Sequence, residues 1–96
     1  MRAYERFLEY ATIWTSSERN SGQAPSSLRQ FDLAHQLAFE MRGLGLERVE
    51  VDNHCFVYAY LPATPGCERA PCLWLLAHLD THPDCPGQYV RVQIIE

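Results

Sequence analysis

The residues with the clearest capacity for chemistry lie in Leu75-Leu76-Ala77-His78-Leu79-Asp80-Thr81. A near-continuous apolar run, Cys72–Ala77, delivers a histidine and an aspartate two residues apart at its C-terminal end. Such a run predicts a strand buried on both faces. In open α/β sheets, ligands sit beyond the carboxyl ends of strands. If the strand continues, alternation places His78 and Asp80 on one side. A neutral imidazole binds zinc through one nitrogen, and its other N–H then needs an acceptor such as a carboxylate. The bland alternative is a hydrogen-bonded histidine at a strand end, with Asp80 opening a turn.

The elements that must position this pair are legible upstream. Tyr4, Phe7, Leu8, Ala11 and Trp14 recur at spacings of three and four, which predicts a helix over residues 1–14. TSSERNSGQAPS, residues 15–26, reads as a loop. A second helix is expected from Ser27, with Ser27 and Gln30 as a capping box. Ala34, Leu37, Ala38 and Met41 would form its apolar stripe, and Gly43 and Gly45 would stop it. Val49 and Val51 alternate with charged residues. Asp52-Asn53-His54 reads as a turn, and Cys55–Leu61 as a strand with Tyr58 and Tyr60 on one face. Pro62–Pro71 is a second loop. Residues 82–96 read as a Pro/Gly loop followed by a β-like tail that runs to Glu96. The order helix, helix, strand, strand, strand predicts an α/β domain with helices flanking a largely parallel sheet. An apolar tail with no closing helix after it suggests that residues 1–96 are an incomplete domain.

Composition narrows the function classes. The chain has 96 residues, 47% apolar and 21% charged, the balance of an ordinary globular protein. Its net charge is -4, with no basic cluster, which argues against nucleic acid and against an anionic membrane surface. No secretory signal is legible, and no apolar run approaches the ~20 residues of a membrane span. A cytoplasmic location is the default expectation, with Cys55, Cys67, Cys72 and Cys85 reduced.

The run LLAHLDTHPDCPG, with VQIIE after it, resembles the first metal-binding segment of the peptidase T family. That family of tripeptide aminopeptidases sits among di-zinc exopeptidases that include aminoacylases and acetylornithine deacetylase. Leu75, Leu76, Ala77, His78, Asp80 and Thr81 match the wider pattern; Pro83, Asp84, Cys85 and Gly87 match the narrower one. Glu5-Arg6-Phe7-Leu8, Pro25-Ser26, Gly45-Leu46 and Leu61-Pro62-Ala63 extend the likeness over nearly the whole chain. The resemblance implies an N-terminal fragment, residues 1–96, of a zinc-dependent catalytic domain acting on short peptides. It implies His78 as a metal ligand and Asp80 as the catalytic-site carboxylate that hydrogen-bonds it. His82 departs from the pattern, which has a small residue there, and is expected to face solvent. The family's bridging aspartate, paired glutamates and later ligands have no counterpart in these 96 residues. A catalytic zinc needs about three protein ligands and a base, so the chain alone is expected to be inactive.

Other readings stay open. Cys67, Cys72, His78, His82 and Cys85 offer five soft ligands within nineteen residues, as a small zinc-binding module would. The Cys67–Cys72 gap is wide for that, and Pro83 opposes the helix that would bring His78 and His82 together. A non-catalytic interaction domain, self-associating through exposed apolar edges, is a second alternative. A Cys85 nucleophile is a third, without the positive surroundings that would activate it. Trp14 and Trp74 read as core anchors, and His35 and His54 as solvent-facing.

Overall fold

A computed structural model describes all of residues 1–96. Two helices, α1 (Ala3–Tyr10) and α2 (Gln30–Gly43), precede two strands, β1 (Glu47–Val51) and β2 (Val57–Tyr60). The chain is therefore a small α/β unit. Its sheet is a two-stranded antiparallel hairpin, not the largely parallel sheet expected. The five residues between the strands explain this. A parallel return needs a crossover of a dozen residues or more, whereas a short turn can only reverse the chain.

The turn is made by Asp52. Its Oδ1 accepts the backbone N–H groups of His54 and Phe56, both at 2.9 Å, while Asp52 N–H donates to Phe56 O at 2.9 Å. Glu47 pairs with Tyr60 and Glu50 with Tyr58, so three steps on β1 oppose two on β2. This bulge is accompanied by a left-handed Arg48, φ 50°. Tyr58 and Tyr60 share a face, as their spacing implied, and both are exposed.

Helix α2 carries the core. Leu33, Ala34 and Ala38 are buried with Cys55 of the hairpin turn. Small side chains at 34 and 38 let the helix approach the hairpin closely. The helix ends in a Schellman motif: Leu46 N–H donates to Met41 O and Gly45 N–H to Arg42 O, at 3.1 and 3.0 Å. Gly45, φ 86°, supplies the left-handed residue that this closure needs. The start of the helix differs from expectation. Ser27 does not form a capping box; its Oγ–H donates instead to Ser16 O at 3.0 Å, and the helix begins at Gln30. A long-range partner has displaced the local cap.

Helix α1 is shorter than residues 1–14 and buries no side chain completely. Tyr4 and Phe7 of its apolar face stay exposed. The chain exposes 8130 Å², against about 5,700 Å² for a compact monomer of this size. Much of the excess lies in Cys72–Ala77. This run forms neither helix nor paired strand, with Leu73, Trp74, Leu75 and Leu76 at 82, 74, 87 and 92% exposure. The doubly buried strand and the core role of Trp74 are thus not observed. A strand apolar on both faces needs neighbours on both edges and a layer over each face, and these residues provide neither. No helix is long and apolar enough to cross a membrane.

The candidate metal-binding segment

His78 and Asp80 do come together. His78 Nδ1 lies 3.1 Å from Asp80 Oδ1, with the imidazole 84% exposed and the carboxylate 43% exposed. In the tautomer that donates Nδ1–H to the carboxylate, Nε2 keeps its lone pair and faces outward. That is the form an imidazole takes as a metal ligand, with the carboxylate fixing the tautomer. The pair forms without a sheet around it.

The segment is held at Thr81. A parallel bridge joins Ser16 to Thr81. Thr81 N–H donates to Thr15 O at 3.3 Å, and Ser17 donates both N–H and Oγ–H to Thr81 O at 3.0 Å. The Ser16 and Thr81 hydroxyls lie 3.3 Å apart. Ser16 O accepts in turn from Ser27 Oγ and from Arg29 Nη2, 3.2 Å away. Thr15, Ser16, Ser27 and Gln30 are buried, so half of the eight buried residues are polar and gather around this junction. Ser16 and Ser27 hydrogen-bond within it, Thr15 takes part through its carbonyl, and Gln30 Nε2 donates to Ser26 Oγ, which offsets part of the cost of leaving water. Sequence reading passed over Ser16 and Ser17 as loop residues, because a contact spanning 64 or 65 positions has no local signature.

Beside the pair lies a groove of about 470 Å³, where His78, Asp80 and Cys85 meet Phe7, Ile13, Leu33 and Val90. A second concavity of about 500 Å³ is bordered by Trp14, Arg29 and Tyr89. Trp14 is exposed and not the core anchor expected; the Arg29 guanidinium stacks 3.8 Å from its ring centroid. His82 faces solvent as expected, its Nδ1 accepting Asp84 N–H at 3.1 Å. His35 and His54 are exposed, His35 stacking on Phe31. Asp84 pairs with Arg19, a second tie between the 15–26 loop and the segment after Thr81.

No three His, Cys, Asp or Glu side chains lie close enough to hold a metal ion together. The four cysteines are free thiols, and burial together with the nearby Asp52 carboxylate pushes Cys55 above its ordinary pKa. The residues present thus fit one corner of a zinc site, a ligand and its orienting carboxylate, and not a complete site.

Similarity to known proteins indicates the kind of protein this segment comes from. The chain is 42% identical over 93 residues to peptidase T of Alkaliphilus oremlandii, covering 96% of this chain and 23% of that protein. It is 46% identical over 93 residues to peptidase T of Haemophilus influenzae, covering 96% and 22%. It is 42% identical over 95 residues to peptidase T of Caldanaerobacter subterraneus, covering 99% and 23%. The chain is thus similar to peptidase T proteins along nearly its whole length. It spans less than a quarter of the length of the curated relatives it matches. No protein-family model matches it.

Proposed function

We propose that this chain supplies the first metal-binding segment of a zinc-dependent aminopeptidase of the peptidase T kind, which releases the N-terminal residue of tripeptides in the cytoplasm. The observation that carries the reading is the match to peptidase T running through His78 and Asp80. The 3.1 Å contact between those two side chains agrees with it. In this reading His78 is a zinc ligand through Nε2, and Asp80 holds the imidazole by its Nδ1–H. Zinc, when bound in a complete site, supplies an activated water for peptide hydrolysis. The rest of the ligand set and the general base are not assembled by these 96 residues. The chain by itself is therefore proposed to be inactive.

Incubating the 96-residue chain with a tripeptide and added zinc or cobalt should give no turnover. Measurable release of the first residue would sink the proposal that the site is incomplete. In a peptidase T-length polypeptide carrying this segment, His78→Ala should lower bound zinc and kcat/KM together. Asp80→Ala should cost about 10–100-fold in metal affinity or activity, the usual effect of removing a ligand's orienting partner. Normal zinc content and normal turnover in the His78 variant would refute the assignment.

The exposure of Leu73–Leu76 favours a second reading, a non-catalytic module that associates with itself or a partner through this strip. A stable monomer over a wide concentration range would count against self-association.

A further inference from the structure

We propose that Ser16, Ser17 and Gly87 are positioning residues for the His78–Asp80 pair, acting through Thr81. The inference deepens the reading of His78 as a metal ligand and rests on it. The metal-binding segment has little of its own to hold it. It follows an unpaired run, and His78 is almost fully exposed. What fixes it is the residue beyond Asp80. Thr81 is tied by both of its backbone polar groups to residues 15 and 17, and by its hydroxyl to Ser16. Ser16 O is itself held by Ser27 and Arg29, next to the start of α2. A continuous set of hydrogen bonds thus runs from the best-packed helix to the residue adjoining Asp80.

Gly87 closes this junction from the other side. A Cβ placed there would stand 2.1 Å from Ser16 Oγ and 3.1 Å from Thr81 Oγ1. Its φ lies outside the left-handed region, so glycine is required here for space and not for conformation. The chain passes so near the two hydroxyls that a side chain here must either swing Ser16 Oγ away from Thr81 Oγ1 or push apart the backbone that carries the bridge. In the second case Thr81 moves and carries the adjoining Asp80 with it, and a ligand held a fraction of an ångström out of place loses much of its value. The lock therefore converts close packing at residue 87 into the orientation of the imidazole at residue 78.

The test uses the isotopically labelled 96-residue chain without metal or substrate. Two quantities are read by NMR at one fixed pH: amide exchange at Ser17 and Thr81, and the imidazole ¹⁵N shifts of His78, which report the tautomer that Asp80 selects. Gly87→Ala should speed exchange at Ser17 and Thr81 by about tenfold or more and move the His78 signals. Ser16→Ala alone should raise exchange at Ser17 and Thr81 only slightly, much less than Gly87→Ala, because the hydroxyl contact is lost while the backbone bridge remains. The double variant Ser16→Ala with Gly87→Ala should restore both. The obstructing Oγ is then gone; Thr81 Oγ1, at 3.1 Å, needs to give by only a few tenths of an ångström, and Ser16 Cβ is at an ordinary 3.5 Å. Restoration also decides the case if Gly87→Ala alone fails to fold. The proposal is overturned if wild-type Ser17 and Thr81 amides are unprotected, or if Gly87→Ala changes nothing. It is equally overturned if exchange rises while His78 stays unmoved, or if the double variant does not recover. None of these readouts involves zinc or turnover, so the lock and the metal assignment can fail separately.

Discussion

The guanidinium of Arg6 and the carboxylate of Glu40 meet at 2.9 Å, and this ion pair joins α1 to α2. Tyr10 OH donates to the same Glu40 oxygen, and Gln36 Nε2 donates to the other at 2.9 Å. Three side chains thus converge on one carboxylate with only 12% of its side chain exposed. Because α1 buries no residue of its own, this polar tie contributes much of what holds it in place.

Glu40 titrates accordingly. The hydrogen bond from Tyr10, followed by those from Gln36 and Arg6, holds its carboxyl below the usual range, against the opposing effect of burial. A carboxyl depressed by folding stabilises the fold above its unfolded pKa, about 4.3. That contribution is lost as pH falls through the lower, folded value. Glu40→Gln should cost about 1 kcal/mol at neutral pH and flatten the acid side of the stability profile. Urea unfolding of both proteins across the acidic range checks this; parallel profiles would show that the carboxylate is not the group responsible.

The hairpin depends on Asp52. Its carboxyl is held below the ordinary range, first by the backbone N–H of Phe56 and then by those of His54 and by Tyr58 OH. Asp52→Ala should therefore accelerate amide exchange at His54 and Phe56 while leaving Ala34 and Ala38 protected. Asp52→Asn, which retains an acceptor, should fall between the two. Uniform acceleration through α2 would mean that the turn and the helix open as one unit.

Gly45 separates a conformational requirement from a spatial one. No atom lies within 4 Å of where its Cβ would be, yet its φ is left-handed. Gly45→Ala should cost about 1–2 kcal/mol from backbone strain alone, read as a lower thermal midpoint. Gly43→Ala, with open space and helical geometry, should be neutral or slightly stabilising. Equal effects at the two positions would contradict the Schellman closure.

The exposed strip at Leu73–Leu76 should govern behaviour in solution. Replacing Leu75 with Lys should reduce concentration-dependent association in sedimentation experiments without altering amide protection in α2. If the variant associates as strongly as the parent, contacts elsewhere are responsible.

The sequence by itself determined the elements whose causes are local. The 3.6-residue spacing located both helices, the glycines after Met41 set the end of α2, and Asp52-Asn53-His54 placed the turn. The i, i+2 spacing of His78 and Asp80 placed their side chains within reach of one another, but did not decide that they would meet. Tertiary structure alone decided which of these features are held and by what. Ser27 carries every mark of a helix cap, yet its hydroxyl goes to Ser16, because a buried carbonyl must be satisfied and local propensity is worth less than that. Cys72–Ala77 has the composition of a central strand, but pairing needs partners, and composition does not supply them. The junction of Ser16, Thr81 and Gly87 was invisible for the same reason. It joins residues more than sixty positions apart through backbone groups that every sequence possesses, so only the fold could reveal that they meet.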